Sequence, residues 1–440
     1  MADPNDLQTQ KFPPAKWGEI LAWASYDVAN SVYGTVVATA VYSAYFVSVI
    51  AGNLPGRSPA FPTVMLELLI AGSSILIVLT APIIGTICDA TASKKKMLFC
   101  STLLCILGTA GLSVIGPGQW IAAMIVMGIA NTAFFTGEDL IAAFLPEIAH
   151  KDDMGRISAI GWAAGYVGSL LSLGTCVAYM SWAQKRGYTN TQYVPQTMML
   201  CAVYFGIAVI PTFLWLKERA VPDATIQGKS YLVVGFRRLK QTITHARHYC
   251  DLFNFLITLF VYSCGTTTVF HFAAVYAQQV LHFTMQDLVT MILVVSITGA
   301  VGAAIFGTFQ DKLGSIKTLA LALMFWMVAI LLAVTAQEKT QFWIAANLVG
   351  CAMGASGSVG RALVAEFSPP GRSGEFLGLW GMAVKLATCV GALSLGSIVY
   401  LTHNNLRAAM LSLELFFVIG ILLLFRVDEK RGKQAATEVI

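Results

Sequence analysis

The run Gly85-Thr86-Ile87-Cys88-Asp89 at the end of one apolar segment returns 222 residues later, at the end of another, as Gly307-Thr308-Phe309-Gln310-Asp311. A second pair of marks, Glu147 followed by Gly155 and Glu366 followed by Gly374, repeats at an offset of 219. Two independent echoes at nearly half the chain length point to a duplicated unit, and the apolar segments around them show that the unit is membranous. Of the 440 residues, 57% are hydrophobic and 12% charged, with mean hydropathy +0.70; a soluble domain carries about 25% charged residues. Twelve spans of about 20 residues each would use roughly 240 residues and leave the rest for ends, loops and helix extensions.

Apolar stretches with few charges do give twelve expected helices, at 17–50, 63–88, 97–116, 120–145, 157–181, 194–216, 251–279, 287–310, 317–336, 341–365, 375–401 and 405–426. The expected organisation is an all-α integral membrane protein. Its parts are a cytoplasmic tail (1–16), a six-helix bundle (17–216), a cytoplasmic linker (217–250), a second six-helix bundle (251–426) and a cytoplasmic tail (427–440). Orientation follows from Lys and Arg, which collect on the cytoplasmic side. With the N-terminus inside, 21 fall on cytoplasmic segments and five on outer loops (Arg57, Lys185, Arg186, Lys339, Arg407), while Arg361 and Lys385 lie within helices. Both termini are therefore expected in the cytoplasm. The polar start MADPNDLQTQKFPPAK has neither an apolar core nor a small-residue cleavage site, so the first apolar segment is expected to remain as a membrane helix.

Several function classes fall away. The nine cysteines form no CxxC pair and the six histidines no HExxH, so neither a metal site nor a cofactor is expected. No GxxxxGK[ST] phosphate loop is present to drive an ATP-powered pump. The net charge of +5 is scattered over short loops rather than gathered on one face, which argues against nucleic acid. Enzymatic chemistry is not expected.

The G-x-x-x-D pattern with trailing basic residues, present twice, resembles the signature loop of the major facilitator superfamily. Gly307, Asp311, Lys312, Gly314 and Lys317 match it well. The first copy departs, with Ala90 where an Arg is usual and Lys94, Lys95 and Lys96 arriving late. Three further segments narrow the resemblance: Trp23-Ala-Ser-Tyr26-Asp27-Val-Ala-Asn30-Ser31; Phe144-Leu-Pro146-Glu147 with Arg156-Ile-Ser158-Ala-Ile-Gly161-Trp162-Ala-Ala-Gly165-Tyr166; and Gly360-Arg361-Ala-Leu. Together they resemble bacterial relatives of the autophagy-linked vacuolar amino-acid effluxers, over about residues 17–426. The resemblance implies two six-helix bundles, a substrate near the bilayer midplane and, by inheritance, neutral amino acids moved outward. It also implies that Asp89 and Asp311 lock the bundles by meeting the positive N-terminal end of a helix in the opposite half, where an anion is favoured. Gly85, Gly307, Lys312, Glu147 and Glu366 complete that expected gating set.

Ionisable groups within membrane segments are costly, about 2.5–3.5 kcal/mol on insertion scales, and so are functional candidates. Asp27, Asn30, Ser31 and Gly34 fall at i, i+3, i+4 and i+7 and share one helical face; Asp27 could carry a proton, or fix the packing of its helix. In the fourth segment Asn131, Phe134, Phe135 and Glu138 lie on one side, with Asp139 turned about 100° away. Glu138 is then the better proton site and Asp139 a helix–helix contact. Arg361, among Gly354, Gly357 and Ser358, could hold a substrate carboxylate or form a structural ion pair with Asp27, Glu138 or Glu366. Lys385, beside Gly378, Gly381 and Thr388, could do the same or snorkel. His271, in line with Cys264, Thr267 and Thr268, is a candidate proton relay.

The combined expectation is a monomeric, proton-linked or otherwise ion-coupled secondary transporter in a bacterial inner membrane, handling a small zwitterion. A drug or siderophore exporter of the same fold would want a larger, more aromatic cavity. A receptor or lipid-handling protein that keeps the fold without alternating access is the alternative of another class.

Overall fold

The computed structural model describes residues 15–52, 61–149, 153–220, 249–283, 285–369, 372–403 and 405–437. Most of the expected N-terminal tail and linker, residues 1–14 and 221–248, lie outside them. Among the described residues twelve helices are long and apolar enough to cross a membrane. They are α1 (Trp17–Ile50), α2 (Phe61–Thr91), α3 (Lys94–Val114), α4 (Trp120–Ile148), α5 (Met154–Lys185), α6 (Asn190–Trp215), α7 (Cys250–Leu281), α8 (Met285–Leu313), α9 (Ser315–Thr335), α10 (Lys339–Phe367), α11 (Ser373–Leu401) and α12 (Leu406–Leu424). A short α13 (Glu429–Ala435) follows. These bounds fall within a few residues of those read from hydropathy.

The repeat in the sequence becomes a repeat in packing. At the centre α2 lies along α11 and α5 along α8, two contacts exchanged by the duplication. The outward faces of α3, α6, α9 and α12 expose Leu103, Leu107, Ile207, Leu214, Val328, Leu331, Leu415 and Leu422, an apolar surface that only lipid can cover at low cost. Chain direction puts the start of each odd-numbered helix, and both ends of the described chain, at one end of the molecule, here the terminal end.

Two local features depart from regular helix. After Val32, α1 switches to i→i−5 bonding: the Val41 amide donates to the Val36 carbonyl at 2.8 Å and the Ala51 amide to Phe46 at 2.9 Å. Such wide turns cluster at functional sites. The α8–α9 turn uses Gly314 at φ +87°, and the equivalent α2–α3 turn places Ala92 at φ +47°. Glycine enters this left-handed region freely, whereas alanine does so at a cost.

Candidate functional site

The two bundles are tied together at the terminal end, and the repeated motifs tie them. Gly85 of α2 crosses α11 so closely that a Cβ there would collide with the Gly374 backbone. Four residues on, the Asp89 carboxylate accepts the amides of Gly374 at 3.0 Å and Glu375 at 2.8 Å, in the first turn of α11. The second copy does the same to α5: Gly307 lies against Ala159, and Asp311 accepts the amides of Gly155 and Arg156. Unsatisfied first-turn N–H groups and the helix dipole both favour an anion at each place. Lys312 stands exposed and has no ion pair among the described residues.

Lys94 completes the first lock. Its ammonium, 1% exposed, meets Asp89 at 2.9 Å and Glu147 at 2.8 Å and donates to Ser373 across the interface at 2.8 Å. Glu147 is also bound by Arg219, whose guanidinium pairs with Glu19 of α1 at 2.7 Å, and Glu218 caps the first amides of α3. In the second bundle Glu366 is held by Ser315 and by Lys433 at 3.2 Å, Glu429 accepts the Ile316 amide, and Arg431 pairs with Asp251 of α7. Burial works against the Lys433 charge, but Glu366 and Glu429 outweigh it and hold the ammonium above its ordinary range. Sequence reading missed Glu19, Glu218, Arg219, Asp251, Glu429, Arg431 and Lys433. These partners lie at segment ends, where their spacing differs between the halves.

Above the lock, Arg361 of α10 reaches into the first bundle. It meets Asp27 at 3.2 Å, donates to the Ser158 carbonyl at 2.7 Å and hydroxyl at 3.2 Å, and lies 4.8 Å from the Trp23 ring centroid. Gly161 and Gly165 of α5 leave room for Asp27. Of the three carboxylates open to Arg361 as an ion-pair partner, Asp27 is the one it meets. The shared face expected for α1 is divided: Asp27 and Ser31 face α5, Gly34 lies against Phe134, and Asn30 is buried outside the lining of the central cavity, its Oδ1 without a hydrogen-bond partner among the described residues.

Between the bundles lies a cavity of about 370 Å³. Asn131, Phe134, Phe135, Glu138 and Asp139 line it from α4 and Trp162 from α5; Tyr262, Phe270 and His271 from α7, Ser356 and Gly357 from α10, and Trp380, Lys385 and Thr388 from α11 form the opposite wall. Lys385 stands 4.0 Å from Glu138 and 3.3 Å from the Phe135 ring centroid, joining opposite bundles over an aromatic face. Asp139 is turned from Glu138 and pressed against Gly381, and it lines the cavity as well. Glu138, Asp139, His271, Lys385 and Asn131 thus share one cavity, while Asp27 and Arg361 lie together outside its lining. Among the described residues no group of His, Cys, Asp and Glu could hold a metal ion.

Known proteins match this arrangement. An "Uncharacterized MFS-type transporter YxiO" of Bacillus subtilis is 27% identical over 95% of this chain and 96% of its own length. "Autophagy-related protein 22" of Yarrowia lipolytica is 26% identical over 71% of this chain and 57% of that protein. Among solved structures, the major facilitator superfamily proton:xylose symporter XylE superposes with TM-score 0.69 at 15% identity, covering 95% of this chain and 97% of that one, a likeness of fold. The fold is that of the major facilitator superfamily, and the protein is an MFS-type membrane transporter. The family model described as "Vacuole effluxer Atg22 like" matches residues 65–437, and the chain belongs to that family.

Proposed function

We propose that this chain is a gradient-driven carrier that moves a neutral amino acid by alternating access, with its terminal end in the cytoplasm. The observation that carries the reading is the pairing of Glu138 and Lys385 from opposite bundles across the central cavity. A zwitterion offers an ammonium to Glu138 and a carboxylate to Lys385, and so exchanges one charge pair for two without leaving a buried ion uncompensated. The aromatic lining and the cavity of about 370 Å³ suit a large apolar or aromatic side chain. Asp27–Arg361 and the two aspartate locks beneath are the gate that must part for the terminal end to open. The excess of Lys and Arg at that end supports the cytoplasmic assignment. The family description of a vacuole effluxer supports movement out of a compartment and into the cytoplasm, towards the terminal end. The aromatic walls also favour a second reading, a hydrophobic drug-like cation held by Glu138 alone.

Binding of labelled amino acids and of a hydrophobic cation to purified protein, with Lys385→Met beside the native chain, separates the two. Loss of amino-acid binding in the variant supports the zwitterion. Cation binding that survives in Lys385→Met, with no amino acid bound by the native protein, supports the second reading.

A further inference from the structure

A second cavity, of about 780 Å³, opens on the side of the first bundle at the terminal end, between the start of α1 and the end of α6. The two helices are joined beside it, where Thr212 donates to the Ala22 carbonyl at 2.8 Å and lies 3.0 Å from the Ser25 hydroxyl. Its walls are apolar, formed by Leu21, Ala22, Pro211 and Trp215. Leu21 and Trp215 are each 60% exposed, so the cavity runs on into the lipid-facing surface. Trp215 closes α6 at the depth where tryptophan settles at a membrane boundary.

Two lysines stand at its rim. Lys16 immediately precedes α1, and Lys217 follows α6 by two residues; both are exposed and line the cavity. The one acid of the lining is already satisfied: Glu19 accepts the Arg219 guanidinium at 2.7 Å and the Lys217 amide at 3.2 Å. Arg219 is held in place by the Glu147 carbonyl at 3.0 Å. Glu19 and Arg219 therefore cancel, and Lys16 and Lys217, without ion-pair partners among the described residues, leave two uncompensated positive charges over an apolar groove. A free phosphate would satisfy the lysines and leave the walls to water. A zwitterionic lipid would cover the walls and bring its own cation towards the lysines. A lipid with an anionic head meets both demands, and basic pockets between spans on the cytoplasmic side suit such head groups.

We propose that this cavity is a binding site for one acidic phospholipid of the leaflet at the terminal end, its phosphate held by Lys16 and Lys217 and an acyl chain laid along Leu21 and Trp215. Through Arg219 the site adjoins the Glu147–Lys94 lock. Its lining comes from the first bundle and the residues just after it, so occupancy depends neither on the gate nor on which solute fills the central cavity.

The test titrates the purified full-length protein in detergent with phosphatidylglycerol or phosphatidylcholine of equal acyl chains, followed by native mass spectrometry. One phosphatidylglycerol should bind at least tenfold more tightly than phosphatidylcholine. With about fivefold for each lysine, Lys16→Ala with Lys217→Ala should weaken it about thirtyfold. Lys16→Arg with Lys217→Arg should keep it, and Lys96→Ala with Lys317→Ala, which removes the same charge elsewhere at the terminal end, should leave it unchanged. Equal binding of the two lipids, or equal weakening by the two alanine pairs, overturns the proposal. Displacement of the lipid by millimolar inorganic phosphate makes this a small-anion site and overturns the lipid assignment. Should the Lys16→Ala, Lys217→Ala protein fail to fold, a photoreactive phosphatidylglycerol must label the native chain within residues 16–25 or 211–219; labelling only elsewhere overturns the site.

Discussion

Lys94 and Lys433 hold equivalent carboxylates from unrelated places in the chain: Lys94, opening α3, meets Glu147 at 2.8 Å, and Lys433, on α13 after the last span, meets Glu366 at 3.2 Å. The duplication preserved the acidic partner at the end of α4 and α10, while the base comes from within one bundle and from beyond the other. The two pairs differ in burial, with side-chain exposures of 1% for Lys94 and 30% for Lys433, and so in strength.

Removing Lys94 leaves Asp89 and Glu147 buried without their shared cation, a loss of about 3–5 kcal/mol. Removing Lys433, which is partly exposed but leaves a buried Glu366 without its cation, should cost less, about 1–3 kcal/mol. Thermal unfolding of Lys94→Ala and Lys433→Ala in detergent measures both, and equal shifts would contradict the assigned difference.

The left-handed Ala92 is strained where its counterpart Gly314 is not. Ala92→Gly should stabilise the protein by up to about 1 kcal/mol, the relief of a left-handed alanine less the added freedom of the unfolded chain. Gly314→Ala should destabilise it by more, about 1–3 kcal/mol, because φ +87° with ψ 157° is a region that glycine alone enters freely and a Cβ would lie 3.0 Å from the Glu429 carboxylate. Paired melting curves decide, and a loss of stability in Ala92→Gly would refute the strain.

Gly374→Ala inserts a methyl group against the Gly85 carbonyl, 2.6 Å from its Cβ position. Overpacking of this kind costs about 1–3 kcal/mol, and the cost falls on the closed terminal end alone. Nitroxide labels at Lys96→Cys on α3 and Lys317→Cys on α9, with Cys100→Ser, report terminal-end opening in nanodiscs by pulsed electron resonance, and should shift to the longer distance by roughly tenfold or more.

Arg361→Lys keeps the charge but not the fork that spans Asp27 and Ser158. Two lost hydrogen bonds of about 1 kcal/mol each weaken the closed gate some thirtyfold. The same labels should report this opening, with solute flux falling because the gate no longer closes firmly.

The fold was legible because it depends on apolar length and on a repeat that spacing preserves. The aspartate contacts were expected only through the resemblance that the repeated G-x-x-x-D motif carries; spacing alone showed the repeat of Gly85 and Asp89 in Gly307 and Asp311, and not what they meet. The division of the α1 face was not: Asp27, Ser31 and Thr35 follow one i+4 row onto α5, where Thr35 bonds Ser169, while Asn30 and Gly34 lie on the neighbouring row, and which row meets α5 depends on how the helices dock. The 100° step between neighbours turns Asp139 from Glu138 towards Gly381, but it does not take Asp139 out of the cavity, which both carboxylates line. What periodicity could not supply was the partner: that Lys385 faces Glu138, that Arg361 passes the cavity to reach Asp27, and that Asp139 meets a glycine. Those pairings depend on how two bundles dock.

The central claim is that solute crosses through this cavity under an ion gradient. The direct measurement is uptake of a labelled neutral amino-acid mixture into liposomes holding the purified protein, with and without an imposed pH gradient, beside Glu138→Gln. Gradient-stimulated uptake is expected, with Glu138→Gln binding its solute about 10–100-fold more weakly through loss of a charged hydrogen bond. Folded, inserted protein that moves none of the mixture under either condition would contradict the account.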